Sequence, residues 1–191
     1  MLHSELDSES HTAIHQNMHA LSTIKMNKKR HIKPRRKKTW TDLRVEISKI
    51  CGLLNISTNE FSEVNSNQWN EIEHKIWAKF STKNDSRWIW ETLKDSYSAA
   101  PIDYNDFALE SLIDTSEKVW FLLDETVNEK TKFWIYEGTI KSFSKIFQES
   151  GLTDEIVIVS KKYEWIFIIN HHDMMIGTGQ LVDKIEKIKS R

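Results

Sequence analysis

Three consecutive side chains, His171, His172 and Asp173, are the most conspicuous group in the chain that could do chemistry. Two imidazoles and a carboxylate can ligate a metal ion or transfer protons. Adjacent residues of a strand point to opposite faces, so both imidazoles could meet one ion only in a turn. No other ligand in the sequence is spaced to join the two imidazoles on one metal ion. The pattern therefore favours a structural or partner-binding turn, with no metal ion and no cofactor.

A second group stands where a strand is expected to run into a helix, at Tyr136 and Glu137. A carboxylate at a helix N-terminus could be a general base, but it also complements the helix dipole without doing chemistry. We assign no catalytic residue, and this favours a protein that is not an enzyme. The candidate partner-binding residues are Tyr136, Glu137, Asn170, His171, His172 and Asp173.

Two tryptophans, Trp88 and Trp90, point in different directions on a short predicted helix. One of them is therefore expected to be exposed and available to a partner. Most of the other tryptophans fall on helical stripes or in strands, as is typical of packing residues. Asp124, which follows a predicted strand, is interpreted as a turn residue.

Positive charge is concentrated in one segment, residues 25–38, which holds 9 of the chain's 27 basic residues. Like charges repel and little apolar surface is available, so residues 1–38 are predicted to be a disordered basic tail. Such a tail could contact nucleic-acid phosphates without reading sequence. The candidate phosphate-contacting residues are Lys28, Lys29, Arg30, Lys33, Arg35, Arg36, Lys37 and Lys38.

The remaining residues, 39–191, carry 18 basic and 25 acidic side chains, a net charge of −7. They are predicted to form a single domain. One cysteine, Cys51, excludes an internal disulfide framework. The sequence shows neither a signal peptide nor a run of about 18 apolar residues that could span a bilayer. We therefore expect a cytoplasmic protein without a membrane partner.

Helical spacing of apolar residues dominates between residues 39 and 100 and begins at Leu43. Ser57 and Glu60 have the spacing of a capping box, which predicts a helical turn through Phe61. Pro101 is expected to close this helical half. The most regular helical stripe consists of Trp69, Ile72, Ile76, Trp77 and Phe80.

Between residues 115 and 191, short runs of β-branched and aromatic residues predict five strands. These runs cover residues 119–123, 133–136, 156–159, 165–169 and 174–176. Helices are predicted at 138–150 and 180–190. The fold class that follows is α+β, with a helical N-terminal half packed on a mainly antiparallel five-stranded sheet of order β-β-α-β-β-β-α.

Three segments carry a resemblance: FWIYEG at 133–138, SKKYEWIFIINHHD at 160–173 and IGTG at 176–179. They resemble an uncharacterised family of small bacterial proteins, a domain of unknown function, over residues 40–191. The resemblance implies a cytoplasmic bacterial α+β protein and supplies no established catalytic residue. In general style the chain is also similar to immunity proteins of bacterial polymorphic toxin systems, which are small cytosolic binders without an active site.

Three functions are compatible with these features. The leading hypothesis is a non-enzymatic protein-binding module, in its most specific form an immunity-type inhibitor whose acidic domain covers a basic site on a toxin. The first alternative is a nucleic-acid-associated protein that uses residues 25–38 as a phosphate-binding arm. The second is a small metal-dependent or acid/base enzyme built on the His171, His172 and Asp173 cluster.

Overall fold

A computed structural model describes residues 43–84, 88–104, 107–124, 133–150 and 155–190. These residues belong to one compact unit, Trp40–Arg191. The predicted basic tail, with its candidate phosphate-contacting residues, lies outside the described residues.

A seven-stranded sheet runs through the centre of the described part of the chain. Its spatial order is β1-β4-β3-β5-β6-β7-β2, and every neighbouring pair is antiparallel. The central strands β5 and β6 are buried along their whole length, as their Ile- and Val-rich sequences require. The strands are β1 Phe61–Glu63, β2 Tyr97–Pro101, β3 Lys118–Asp124, β4 Phe133–Thr139, β5 Glu155–Ser160, β6 Ile166–Ile169 and β7 Met174–Thr178.

Four α-helices and three short 3₁₀ turns accompany the sheet in the described residues. Helix α2 begins after Asn65, whose side chain accepts the N–H of Asn67 and so caps the helix. All five residues of its predicted apolar stripe are buried, which confirms that element. The helices are α1 Leu43–Leu53, α2 Ser66–Phe80, α3 Ile140–Glu149 and α4 Val182–Lys189, and the 3₁₀ turns are Ile89–Thr92, Leu109–Ser111 and Gly179–Leu181.

Helices pack on both faces of the sheet. Phe121 and Asp124 are three residues apart in β3, so their side chains point to opposite faces. Phe143 of α3 stacks on Phe121, with ring centroids 4.2 Å apart. Trp77 of α2 contacts Phe133, the cross-strand partner of Asp124, at 5.9 Å. The core therefore has two apolar layers, one on each side of the strands.

The predicted arrangement of a helical N-terminal half on a five-stranded sheet is wrong. The sheet has seven strands, and the two additional ones, β1 and β2, come from the segment predicted to be helical. They form the opposite edges of the sheet. The helical part of the described chain is therefore interrupted by strands and is not confined to the N-terminal half.

The first error arises at β1. The segment before it makes one hydrogen-bonded turn, as the sequence predicts, but the chain then continues as a strand and not as a helix. The N–H and the hydroxyl of Ser57 both donate to Glu60 Oε2, at 3.0 and 2.7 Å, as in half of a capping box. Phe61 then pairs with Gly138 of β4 and stacks on Tyr136 at 5.0 Å. Pairing with a distant strand outweighs the local preference of this short segment.

The second error lies at β2, in the predicted end of the helical half. Pro101, which is expected from the sequence to close the helical half, cannot donate a hydrogen bond to a neighbouring strand. At a sheet edge the outer side of the strand has no neighbour, so the proline is tolerated there. Pro101 faces Met174 of β7, and the pairing continues to Tyr97 opposite Thr178.

Candidate functional site

The connection between β6 and β7 is a tight turn whose conformation depends on the buried side chain of Asn170. Its Oδ1 accepts the backbone N–H groups of His172 and Met174, both at 3.1 Å. The N–H of Asp173 donates to the carbonyl of Asn170 at 3.0 Å. Asp173 has φ +59°, a left-handed conformation that aspartate adopts more readily than most residues. Asn170 therefore holds the turn, and His171, His172 and Asp173 are exposed on it.

Two tryptophans pack against the histidines of this turn. The ring centroid of Trp88 lies 4.9 Å from that of His171. The Trp90 ring meets both imidazoles edge-on, at 6.0 Å from His171 and 5.9 Å from His172. Ile89 between the tryptophans begins a short 3₁₀ turn and is buried in the core, whereas both indoles are half-buried. The structure thus brings both tryptophans to the predicted histidines.

The segment after β2 is attached to the same turn through Tyr104. Its hydroxyl donates to Asp173 Oδ1 at 3.0 Å, and the N–H of Ile102 donates to the carbonyl of Asp173 at 2.9 Å. Partial burial, together with the neighbouring Asp173 carboxylate, raises the pKa of Tyr104 to about 12. We call the exposed and half-exposed group defined by these contacts the turn surface; it consists of Trp88, Trp90, Tyr104, His171, His172 and Asp173.

Two buried carboxylates lie behind the turn surface. Asp124 and Glu155 are cross-strand partners in β3 and β5, each only 2% exposed. The indole N–H of Trp90 donates to Glu155 Oε1 at 2.5 Å. This hydrogen bond satisfies the indole N–H and restrains the orientation of the indole. Ile156 of β5 pairs with Ile169 of β6. One residue further in this antiparallel register, Glu155 stands opposite Asn170.

These carboxylates were missed in the sequence. Asp124, interpreted as a turn residue, is the last residue of β3 and is buried. Glu155 stands directly after residues 151–154, which are not described. A carboxylate at the end of an apolar strand usually marks an exposed turn, and only the strand pairing reveals that these two are buried.

The structure does not bring Tyr136 and Glu137 to the turn surface. Glu137 pairs with Trp120, which lies four residues along β3 from Asp124. Its carboxylate forms an ion pair with Lys161, whose ammonium lies 4.2 Å from the centre of the Trp120 ring. Tyr136 is buried in the core. The partner-binding role assigned to these two residues stays a prediction.

Neither a metal cluster nor a membrane span is found in the described ranges. No group of three His, Cys, Asp or Glu side chains there is placed to hold a metal ion. No described helix has the length and apolar character needed to cross a bilayer.

The chain belongs to a family of unknown function (DUF6756), which matches residues 39–189. This confirms the resemblance to an uncharacterised domain family; the bacterial origin stays a prediction. No curated protein and no solved structure matches the chain.

Proposed function

We propose that this protein is a non-enzymatic, cytoplasmic protein-binding module that contacts its partner through the turn surface. The observation that carries the proposal is the packing of two half-buried tryptophans against two exposed histidines on a hydrogen-bonded turn. Tryptophan and tyrosine are enriched in the parts of protein interfaces that contribute most to affinity. The turn surface holds both residue types in one place.

The turn surface is also pre-organised. Glu155 fixes the indole plane of Trp90 from behind, and Asn170 fixes the backbone that carries the histidines. Tyr104 ties Asp173 to the loop after β2. Ordering side chains on binding costs free energy, so a surface whose side chains are already held binds more tightly.

The charge of residues 39–191 favours a particular partner. A net charge of −7 accelerates encounter with a basic surface and disfavours an acidic one. Many toxins that act on nucleic acids need basic sites to contact phosphates. An immunity-type inhibitor that covers such a site is the specific form of the proposed function.

Co-expression tests the proposal. The full-length chain is tagged and co-expressed with the product of the neighbouring gene, and complexes are recovered on the tag. We expect stoichiometric recovery of the partner and relief of its toxicity. Trp88→Ala should abolish recovery, whereas Leu53→Ala, which truncates an apolar side chain that is 80% exposed on α1, should leave it unchanged. Equal recovery by both variants would contradict a binding role for the turn surface.

The nucleic-acid alternative rests on a different part of the chain. Its support is the density of basic residues in 25–38. Deleting residues 25–38 should abolish DNA and RNA binding in a mobility-shift assay, and the salt dependence of binding should disappear with it. Identical shifts with and without the segment would end this alternative.

A further inference from the structure

The fold holds a cation against a tryptophan ring at two places in the described residues, and each time a carboxylate lies beside the cation. The guanidinium of Arg44 lies 4.6 Å from the centre of the Trp134 ring and its Nε donates to Glu63 at 3.0 Å. Lys161 is placed in the same way between Trp120 and Glu137. A tryptophan face and a carboxylate together attract a cation by its interaction with the π-system and by charge.

The turn surface offers the same two kinds of group to a partner. The rings of Trp88 and Trp90 are half-exposed, and the carboxylate of Asp173 is exposed on the same turn as the two histidines that these rings contact. The Asp173 carboxylate accepts one hydrogen bond from Tyr104, which leaves acceptor positions for further donors. Glu91, adjacent to Trp90 in the chain, adds a second exposed carboxylate.

The surroundings of the turn surface are acidic. The two described segments that form it, residues 88–104 and 166–178, contain four acidic residues and one basic residue. The basic residue is Lys94, whose ammonium donates to the carbonyl of Ala78 on α2 at 2.7 Å. If the sequence count is extended by Arg87, which lies outside the described residues, it is four acidic and two basic residues. The acidic residues are Glu91, Asp95, Asp103 and Asp173.

We infer that the turn surface binds an arginine side chain of the partner protein, with the guanidinium against the Trp88 and Trp90 rings and hydrogen-bonded to Asp173. This inference rests on the proposed function and names the chemistry that the partner presents. Arginine fits better than lysine because its planar guanidinium stacks on an indole and donates two parallel hydrogen bonds to one carboxylate.

A peptide titration of the full-length chain tests the inference. The probe is acetyl-tetra-arginine amide, and the matched control probe is acetyl-tetra-citrulline amide, which has the same shape without the charge. The indole N–H signals of Trp88 and Trp90 are followed by NMR and assigned with Trp88→Phe and Trp90→Phe. We expect the arginine peptide to shift both signals saturably and the citrulline peptide to shift neither.

The carboxylate is tested by an isosteric pair of variants. Asp173→Asn should weaken binding of the arginine peptide about two- to fivefold, the loss typical of one exposed charge pair. Asp114→Asn changes an exposed carboxylate outside the turn surface, before β3, and should leave binding unchanged. Equal shifts with the citrulline peptide, or equal binding by the two variants, would overturn the inference.

Failure of the inference can be told apart from failure of the proposed function. If Trp88→Ala abolishes partner recovery but the arginine peptide does not bind, the surface binds a partner by other chemistry and only the inference fails. If partner recovery is unaffected by Trp88→Ala, the proposed function itself fails, whatever the peptide does.

Discussion

Replacing Asn170 with alanine tests the idea that one buried side chain holds the turn surface in place. The substitution removes the oxygen that accepts the N–H groups of His172 and Met174, each at 3.1 Å. A hydrogen bond in a protein contributes about 1 kcal/mol net, so the loss of two lowers the free energy of unfolding by about 2 kcal/mol. We expect this decrease in urea denaturation, together with faster hydrogen exchange at both amides.

Two controls separate the hydrogen bonds from other effects of the substitution. Asn170→Asp keeps an acceptor oxygen, so both amides should stay protected from exchange. Its stability should still fall at neutral pH, because the charge of the new carboxylate is buried and loses its hydration. His172→Ala truncates an exposed side chain and should change the free energy of unfolding by only about 0.5 kcal/mol. A loss below about 0.5 kcal/mol for Asn170→Ala, with unchanged exchange, would refute this reasoning.

Two further predictions concern the sheet edge and the tyrosine of the turn surface. Gly138→Ala should destabilise the protein by about 1 to 3 kcal/mol in urea denaturation, since the added Cβ would lie 2.6 Å from the Glu60 carbonyl oxygen in the β1–β4 pair. Gly52→Ala, with nothing within 4 Å of its added Cβ, should instead stabilise α1, and equal effects of the two would contradict the β1 pairing. The phenol of Tyr104 should titrate at about 12 in ultraviolet absorbance at alkaline pH, and Asp173→Asn should lower that pKa; an unshifted titration in the variant would show that the carboxylate does not act on it.

Long periodic elements could be predicted from the sequence, because their own residues determine them. The apolar stripe of α2 needs only local information, and the structure confirms it. The continuous Ile- and Val-rich runs likewise predict the central strands. Their apolar character on both sides indicates a sheet with two packed faces, as the contacts of α2 and α3 show.

The edge strands could not be predicted in the same way, because they depend on distant partners. The segment around Phe61 has a local helix signal in Ser57 and Glu60, yet it becomes a strand by pairing with β4. At β2, Pro101 is compatible with a strand only because that strand is at an edge, which no local pattern reveals. Errors of this kind left β1 and β2 out of the predicted sheet.

Only part of the candidate site could be predicted from the sequence. The Asn170 to Asp173 turn is marked by residue type, and one exposed tryptophan was expected at Trp88 or Trp90. Their meeting depends on the packing of the 3₁₀ turn against a hairpin about 80 residues further along the chain. The buried side chains behind them, Asp124 and Glu155, are brought together by the register of β3 and β5. The local sequence around Glu155 therefore does not indicate its position.

The most direct test of the account is the affinity of the purified partner for variants of the turn surface, measured by isothermal titration calorimetry. Trp88→Ala and Trp90→Ala should each weaken binding at least about tenfold, as expected for interface residues that contribute strongly to affinity. Leu53→Ala should bind as the unchanged protein does. If the tryptophan variants remain folded and bind with unchanged affinity, the partner does not contact the turn surface and the central claim is wrong.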